Sequence, residues 1–514
     1  MVRRSGVTQP AAMESVLEPT IVALPRRSIL ELAGLSWPLL LGVSGFLAVV
    51  SLGLGLSDPD VYLHVAVGRW MLLHGRVPTH DPFSFTLRGA PWVAHEWGAE
   101  LVSLFVHRVA GWSGLVFLGA VCFGATLAYL MRFLLRRMEP LHALLLSALA
   151  AGMMLPYVID RPHELVWPLT AVWVGGLVGA SEENRAPSWW LLPVMLLWAN
   201  MHASFILGLG LMVLLALDSV ERGDNRQLSI TARRWIPFCV FALACALINP
   251  QGYRLLLFPF HVIGIRELLS HFKDWRPPDL QHLTVFDLWL LVVLGAAFAG
   301  RVRLTVTRAI TVIGLLFMAL QSSRNVSLLG LLSPFLLAGP VAARWADASP
   351  SGGDDGRLDR LFRTLSRPAR PIVVCAVLAM AGVAAAAMLR ANEPRPAAVF
   401  APRAALQAIL SRVAKPRILN DPNFGDYLIY RHVPVFVDAR ADMYGEKFLK
   451  RTFDALSLAP DDGVQALLTQ YHINAILLWP GEPIVRALDR LPGWRCVYRD
   501  KMAVAYVLRA GQAS

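Results

Sequence analysis

Apolar runs of roughly 17 to 25 residues recur along this sequence and are separated by short polar stretches. A run of that length crosses a hydrocarbon core of about 30 Å as a single helix. Hydrophobic residues make up 56% of the 514 residues and charged residues only 16%, whereas about a quarter of the residues of a typical soluble domain are charged. This composition excludes a soluble enzyme and predicts a polytopic α-helical membrane protein.

By span length the runs predict about eleven transmembrane helices, near residues 36–56, 113–135, 141–159, 162–180, 189–200, 203–219, 234–249, 283–300, 303–321, 325–344 and 371–390. The short run at 189–200 could instead be re-entrant, but removing it would put the arginine-rich loops on alternating sides. Such loops are typical of the cytoplasmic side. We therefore predict a multi-pass protein of the inner membrane, with its N-terminus in the cytoplasm and its C-terminal region outside.

This topology divides the chain into a cytoplasmic N-terminal segment (1–35), a transmembrane domain (36–390) with a first external loop (57–97), and an extracytoplasmic region (391–514). In the last region short β-rich runs alternate with helical stretches, which indicates a small α/β domain. The predicted strands are 418–419, 427–429, 435–437 and 475–478, the predicted helices are 446–457, 462–470 and 482–490, and the predicted terminal hairpin joins 494–498 to 503–508.

The net charge of +12 does not indicate a nucleic-acid partner, because the arginines cluster at the ends of the apolar runs. Four of the five cysteines lie in apolar runs and only Cys496 lies in the polar tail. This distribution favours neither a disulfide framework nor a cysteine metal site.

Acidic residues open the first external loop. Asp58, Asp60 and His64 could share one surface where the loop becomes a helix. Two carboxylates and an imidazole can bind Mg²⁺ or Mn²⁺, or act as a general base. Alternatively, Asp58 or Asp60 is simply the N-cap of a helix that begins near Val61.

Further polar residues lie at the same predicted membrane boundary, where ionisable groups are costly unless they are paired or hydrated. Arg161 and Arg324 have little topological reason to lie outside the cytoplasm, and an arginine fork suits a phosphate group. Lys273, in an amphipathic stretch at 254–282, is a third candidate phosphate ligand. The candidates for orienting a bound substrate are His64, His95, Glu96, His163, Asn200 and His202.

In the tail, Asp438 and Arg440 directly follow a predicted strand. Ligands of α/β folds bind at strand ends, so the pair could contact a substrate. Equally, the two side chains could pair with each other and fix their loop against the membrane domain.

With these motifs the sequence resembles the GT-C integral-membrane glycosyltransferases, which include bacterial relatives of protein mannosyltransferases and the catalytic subunit of oligosaccharyltransferase. The shared features are an acidic motif after the first span (Asp58-Pro59-Asp60), a long external loop, about eleven crossings and an external C-terminal domain. The resemblance implies transfer of a sugar from a polyprenyl-phosphate donor to a glycan, lipid or protein acceptor. It also implies that Asp58 or Asp60 is the base or a metal ligand.

Two other functions remain open at this stage. A transporter or flippase for lipid-linked glycans would place its polar groups near the bilayer midplane, at broken helices. A non-catalytic assembly protein would not need the acidic residues of the first loop.

Overall fold

The computed structural model describes residues 34–159, 161–223, 228–264, 275–298, 302–346, 357–458 and 463–509. It is mainly helical, and a helix lies in each of the eleven apolar runs. These eleven helices are α1 (Trp37–Ser51), α3 (Trp97–Leu135), α4 (Pro140–Met154), α6 (Trp167–Glu182), α7 (Leu191–Met201), α8 (Phe205–Glu221), α9 (Leu228–Leu247), α11 (Val285–Phe298), α12 (Val306–Gln321), α13 (Asn325–Ala346) and α15 (Pro371–Ala391).

Four further helices connect the apolar ones. They are α2 (Asp60–His74), α5 (Pro162–Leu165), α10 (Tyr253–Gly264) and α14 (Arg357–Leu365). Helix α2 lies within the first external loop, and α14 precedes the last apolar helix. The chain is therefore a helical membrane protein with short helices between its apolar helices.

Among the described residues, five helical segments are long and apolar enough to cross a membrane by themselves: Trp97–Leu135, Pro140–Tyr157, Ile230–Leu247, Asn325–Arg344 and Pro371–Ala391. Other apolar helices are shorter, and α7 has only 11 residues. At 1.5 Å per residue, α7 is about half as long as the hydrocarbon core is thick. The crossing by α7 therefore stays a prediction.

The ends of α1 explain how the first loop begins. Ser36 caps the helix by accepting a hydrogen bond from the Leu39 amide. After Ser51 the chain turns through three residues with positive φ, namely Gly53, Gly55 and Leu56. These turns end the helix and bring the chain to Asp58.

Glycines allow α1, α2 and α3 to pack closely. A Cβ on Gly124 of α3 would lie 2.5 Å from the carbonyl oxygen of Gly42, and one on Gly68 of α2 would lie 2.4 Å from that of Glu100. Within α3, Gly111 has φ 60 and ψ −153, which divides the helix into two parts. The part before Gly111 continues the first loop, and the part after it coincides with the predicted span.

The C-terminal region contains a four-stranded sheet of order β1-β2-β4-β3. Strands β1 and β2 are parallel, whereas β4 is antiparallel to both β2 and β3. The predicted hairpin and α/β character are confirmed. The elements are α16 (Arg403–Leu410), β1 (Ile418–Asn420), α17 (Pro422–Tyr430), α18 (Ala441–Leu456), α19 (Val464–Gln470), β2 (Ala475–Leu478), α20 (Pro483–Leu488), β3 (Trp494–Arg499) and β4 (Val504–Leu508).

The strand predicted at 427–429 is wrong, because these residues belong to α17. Asp421 caps this helix by accepting a hydrogen bond from the Asn423 amide, and Pro422 occupies the first turn. An aspartate followed by proline is a strong helix start, and it prevails over the β-rich composition of Tyr427 to Ile429. The stretch at 435–437 forms only isolated bridges.

The first external loop is joined to the C-terminal sheet. Val435 forms parallel bridges with both Ser84 and Ile418, so a segment of the loop continues the sheet beyond β1. The Thr86 hydroxyl donates a hydrogen bond to the carbonyl oxygen of Phe436 at 2.7 Å. Through these contacts the C-terminal region packs directly on the loop that carries the acidic motif.

Candidate functional site

Arg161 joins the two aspartates of the first loop. Its Nη2 lies 2.5 Å from Oδ2 of Asp58, and its Nε lies 3.4 Å from Oδ2 of Asp60. Asp58 also accepts a hydrogen bond from the Asp60 amide at the start of α2. One carboxylate oxygen of Asp58 thus holds the first residue of α2, whose N-cap position is Pro59, and the other oxygen pairs with Arg161.

Asp58 is 93% buried, with only 7% of its surface exposed. Burial removes water from the carboxylate and raises its pKa to about 6, against the opposing effect of Arg161. A carboxylate with such a pKa is ionised near neutral pH, yet it is a better proton acceptor than an exposed aspartate.

Three histidines surround Glu96 in a second cluster. The nearest ring nitrogens of His64, His95 and His202 lie 3.9, 3.5 and 3.3 Å from the Glu96 carboxylate oxygens. They come from α2, from the loop before α3 and from the turn between α7 and α8. Four of the predicted orienting residues therefore lie together.

The surroundings of each ring determine its protonation state. Burial favours a neutral His95, but the charge and hydrogen bonding of Glu96 outweigh burial and raise the pKa of His95 to about 9. Burial dominates for His202 and lowers its pKa to about 4. Nδ1 of His202 accepts a hydrogen bond from the Ser204 amide at 3.1 Å. The neutral ring therefore carries its proton on Nε2, which faces Glu96.

Glu96 remains ionised in this cluster. Burial alone would raise its pKa, but the adjacent His95 and His202 hold the pKa well below the usual range for glutamate. Burial also lowers the pKa of His64. The cluster thus combines a charged His95–Glu96 pair with two neutral imidazoles.

His163 and Arg324 lie beside this cluster. The rings of His163 and His202 are 6.4 Å apart. Burial first and the charge of Arg324 second hold the pKa of His163 well below its ordinary value. The Arg324 guanidinium stacks 4.7 Å from the ring centre of Trp275. Both predicted residues are therefore at the same end of the helix bundle as Glu96.

Asn200 links three elements. Its side-chain Nδ2 donates hydrogen bonds to the carbonyl oxygens of Leu196 and Ile248, each at 2.8 Å. Its Oδ1 accepts a hydrogen bond from the Trp97 indole at 3.2 Å. These bonds tie the end of α7 to α9 and to the start of α3. They hold the segment that carries His202.

Asp438 and Arg440 form a buried pair with two hydrogen bonds, of 2.8 and 2.7 Å. The third guanidinium nitrogen lies 2.8 Å from Oδ1 of Asp81 in the first external loop. Tyr444 donates a further hydrogen bond to Asp438. The pair therefore fixes its loop against the membrane domain, which is one of the two interpretations that the sequence left open.

The site also contains acidic residues that were not among the predicted ones. Asp81 lies in the His80-Asp81-Pro82 motif and joins the loop to Arg440. Asp426, on α17, is fully buried. Burial and the negative charges of Asp60 and Asp438 hold its pKa well above the usual range. The sequence signal for both residues is a neighbouring turn-forming residue, because Asp81 precedes Pro82 and Asp426 follows Gly425.

The metal-binding role of Asp58 and Asp60 stays a prediction. Asp58 and Asp60 both face the guanidinium of Arg161, whose positive charge opposes a second cation. Among the described ranges, no group of three or more His, Cys, Asp or Glu side chains could hold a metal ion. Lys273 lies outside the described residues, so its role stays a prediction.

Comparison with known proteins yields structural likeness only. No protein-family model matches the chain, and no curated protein does. The apo oligosaccharyltransferase from Archaeoglobus fulgidus is similar, with a TM-score of 0.51 and 11% identity over 86% of this chain and 69% of that one. ArnT from Cupriavidus metallidurans bound to undecaprenyl phosphate aligns with a TM-score of 0.46 and 15% identity over 92% of this chain and 98% of that one.

The oligosaccharyltransferase likeness covers most of this chain. The chain therefore shares its fold with this oligosaccharyltransferase.

Proposed function

We propose that this protein is a membrane glycosyltransferase that moves a sugar from a polyprenyl-phosphate donor to an extracytoplasmic acceptor, with Asp58 as the general base. The observation that supports this function best is the state of Asp58. Its carboxylate is buried and paired with Arg161, and burial raises its pKa to about 6. A base tuned in this way suits the removal of a proton from a hydroxyl group.

In the proposed reaction, the hydroxyl oxygen of the acceptor forms a bond to the anomeric carbon of the sugar. The bond between that carbon and the phosphate oxygen breaks, and the polyprenyl phosphate leaves with both electrons. The hydroxyl proton passes to Asp58. Asp60 shares Arg161 with Asp58 and keeps the guanidinium in place.

Arg324 and Arg161 are the proposed ligands of the leaving phosphate. Negative charge accumulates on the phosphate as the sugar departs, and arginine stabilises such charge through hydrogen bonds. A prenyl-linked phosphate lies at the depth of the lipid headgroups, where helix ends also lie. Both arginines are adjacent to helix starts, Arg161 before α5 and Arg324 before α13.

The cluster around Glu96 is proposed to orient the sugar or the acceptor. It offers an ionised carboxylate, a protonated His95 and two neutral imidazoles within a small volume. Such a mixture of donors and acceptors can bind several hydroxyl groups of a sugar. His163 is the remaining candidate on the border of this cluster.

The position of the polar residues favours transfer over transport. A secondary transporter binds its substrate near the bilayer midplane, at broken helices. Here Asp58, Glu96, Arg161 and His202 all lie in loops or at helix ends.

The test is mass spectrometry of lipids and surface glycans from cells that express the wild type, Asp58→Asn, Asp60→Asn or Asp454→Asn. Asp454 is exposed on α18 and pairs with Lys450, so it is the matched control. We expect Asp58→Asn to accumulate one polyprenyl-phosphate sugar and to lose one glycan residue, with a drop in rate of at least 100-fold, as for loss of a general base. A wild-type profile in folded Asp58→Asn protein would refute the assignment of the base.

A further inference from the structure

An apolar groove of about 900 Å³ lies between α1, α3 and α15. Small residues create it, because Ala125 and Ala128 of α3 and Gly382 of α15 leave space that larger side chains would fill. A Cβ on Gly382 would meet no atom within 4 Å. A groove of this size can hold a hydrocarbon chain.

Three arginines line one end of the groove. Arg132 and Arg136 come from the end of α3, and Arg367 precedes α15. All three are exposed, and none of them forms an ion pair with an acidic side chain of the described residues. The groove therefore has an apolar wall and a cationic rim.

This rim lies at the end of the bundle opposite the candidate site. Helix α1 starts at Trp37, beside the groove, and ends at Ser51, shortly before Asp58. Likewise α3 starts next to Glu96 and ends at the rim. The two ends of the same helices thus carry two different polar surfaces.

The amphipathic helix α14 borders the rim. The Trp37 indole donates a hydrogen bond to the carbonyl oxygen of Phe362 at 3.2 Å, and the two rings pack 5.1 Å apart. Arg360 of this helix is exposed. Basic amphipathic helices lie in the membrane interface, where they attract anionic headgroups.

We propose that this groove is a binding site for an anionic phospholipid, with an acyl chain between α1, α3 and α15 and the headgroup phosphate at Arg132, Arg136 and Arg367. The charge of the rim and the apolar wall match the two parts of such a lipid. Basic pockets between transmembrane helices bind anionic lipids in this manner. The site is separate from the donor phosphate site, because it lies at the other end of the helices.

The test is a titration of the purified full-length chain, freed of lipid in detergent, with phosphatidylglycerol or phosphatidylcholine, followed by native mass spectrometry. We expect phosphatidylglycerol to bind more tightly. In Arg132→Gln/Arg136→Gln the dissociation constant of phosphatidylglycerol should rise roughly 30-fold, because each arginine near a lipid phosphate strengthens binding about fivefold. Arg132→Lys/Arg136→Lys keeps the charge and should stay close to the wild type.

Arg233→Gln/Arg303→Gln is the matched control. Both arginines are exposed, lie near the starts of apolar helices and do not line the groove. This variant removes the same charge, so it should bind phosphatidylglycerol like the wild type. Equal weakening in both double variants would show a general charge effect and overturn the proposal, as would equal affinity of the wild type for the two lipids.

Gly382→Leu tests the acyl part of the site. Leucine should fill the groove without displacing its neighbours, so we expect weaker binding of phosphatidylglycerol and an unchanged melting temperature. Gly314→Leu is its control, because that glycine also has no neighbour within 4 Å but lies on α12. Unchanged binding in Gly382→Leu would place the lipid elsewhere. None of these measurements depends on glycosyltransferase activity.

Discussion

Individual ionisable side chains in this protein owe their protonation state to burial and to the charges beside them. His95 and His202 both face Glu96, yet the pKa of His95 is raised to about 9 and that of His202 is lowered to about 4. For His202 the loss of water prevails over the charge of Glu96, and the positive charges of His95 and Arg324 lower its pKa further. A single carboxylate therefore keeps one ring charged and leaves the other neutral.

Asp58 should determine the acid side of the pH–rate profile. Burial raises its pKa to about 6, and a general base must be deprotonated. We expect kcat/KM to be constant above pH 7 and to fall about tenfold for each pH unit below 6. The measurement is the initial rate of sugar transfer between pH 4.5 and 8.5. A profile that is flat down to pH 4.5 would assign the base to another residue.

The Glu96–His95 pair should make stability depend on pH. The pKa of His95 is about 9 in the folded protein and about 6.5 in the unfolded chain. The folded state therefore binds more protons between these values, and the stabilisation from this pair is complete below pH 6.5 and lost as the pH rises through 9. This shift in the pKa of His95 corresponds to a stabilisation of the folded state by roughly 3 kcal/mol.

We expect Glu96→Gln to lose most of that stabilisation at pH 6.5 and little of it above pH 9. The measurement is the melting temperature of the wild type and of Glu96→Gln at pH 6.5, 8 and 9.5. Glu482→Gln is the control, because Glu482 lies in the C-terminal region, far from Glu96 in the sequence. An equal loss at all three pH values would mean that the Glu96 carboxylate does not control the charge of His95.

At the scale of elements, a single strong pattern predicts the helix or strand correctly. Where two local patterns compete within one segment, the prediction can fail. The apolar runs and the terminal hairpin predicted helices and strands that the structure contains. Tyr427 to Ile429 has the composition of a strand, but the Asp421 cap and Pro422 start a helix there. The strength of a cap relative to β propensity depends on packing, which a single sequence does not reveal.

The contact between the first loop and the C-terminal region should matter for stability. Asp81 is almost fully buried and lies 2.8 Å from Arg440. Asp81→Asn removes one of the two carboxylates that Arg440 contacts, and Arg440 keeps Asp438, so the cost should be lower than the roughly 3 to 5 kcal/mol of a buried charge left without any partner. We expect a clearly lower melting temperature in this variant.

Glu393→Gln is the control for Asp81→Asn. The side chain of Glu393 is 68% exposed in its ion pair with Arg395, so its removal should leave the melting temperature unchanged. Thermal unfolding of both variants in the same detergent makes the comparison. Equal melting temperatures would mean that the loop and the C-terminal region do not depend on this ion pair.

At the scale of the whole molecule, the site is assembled from segments that are far apart in the sequence. Arg161 reaches Asp58, and His202 reaches Glu96. Their common location was predicted, because helix ends on one side of a membrane share a plane. Which residue meets which could not be predicted, since the order of the helices around the bundle is a product of packing. The partners of Arg161 and the role of Asp81 are two examples.

The orientation of the molecule in the membrane is the last expectation to test. Arginine asymmetry predicts that the C-terminal region is outside the cytoplasm. Cys496 on β3 is exposed, whereas Cys122 is buried in α3. A membrane-impermeant maleimide should therefore label Cys496 in intact spheroplasts, and Cys496→Ser should abolish this labelling. In a Cys496→Ser background, Arg303→Cys should react only after the membrane is permeabilised. The reverse pattern would invert the topology and place the Asp58 site in the cytoplasm, where an extracytoplasmic acceptor could not reach it.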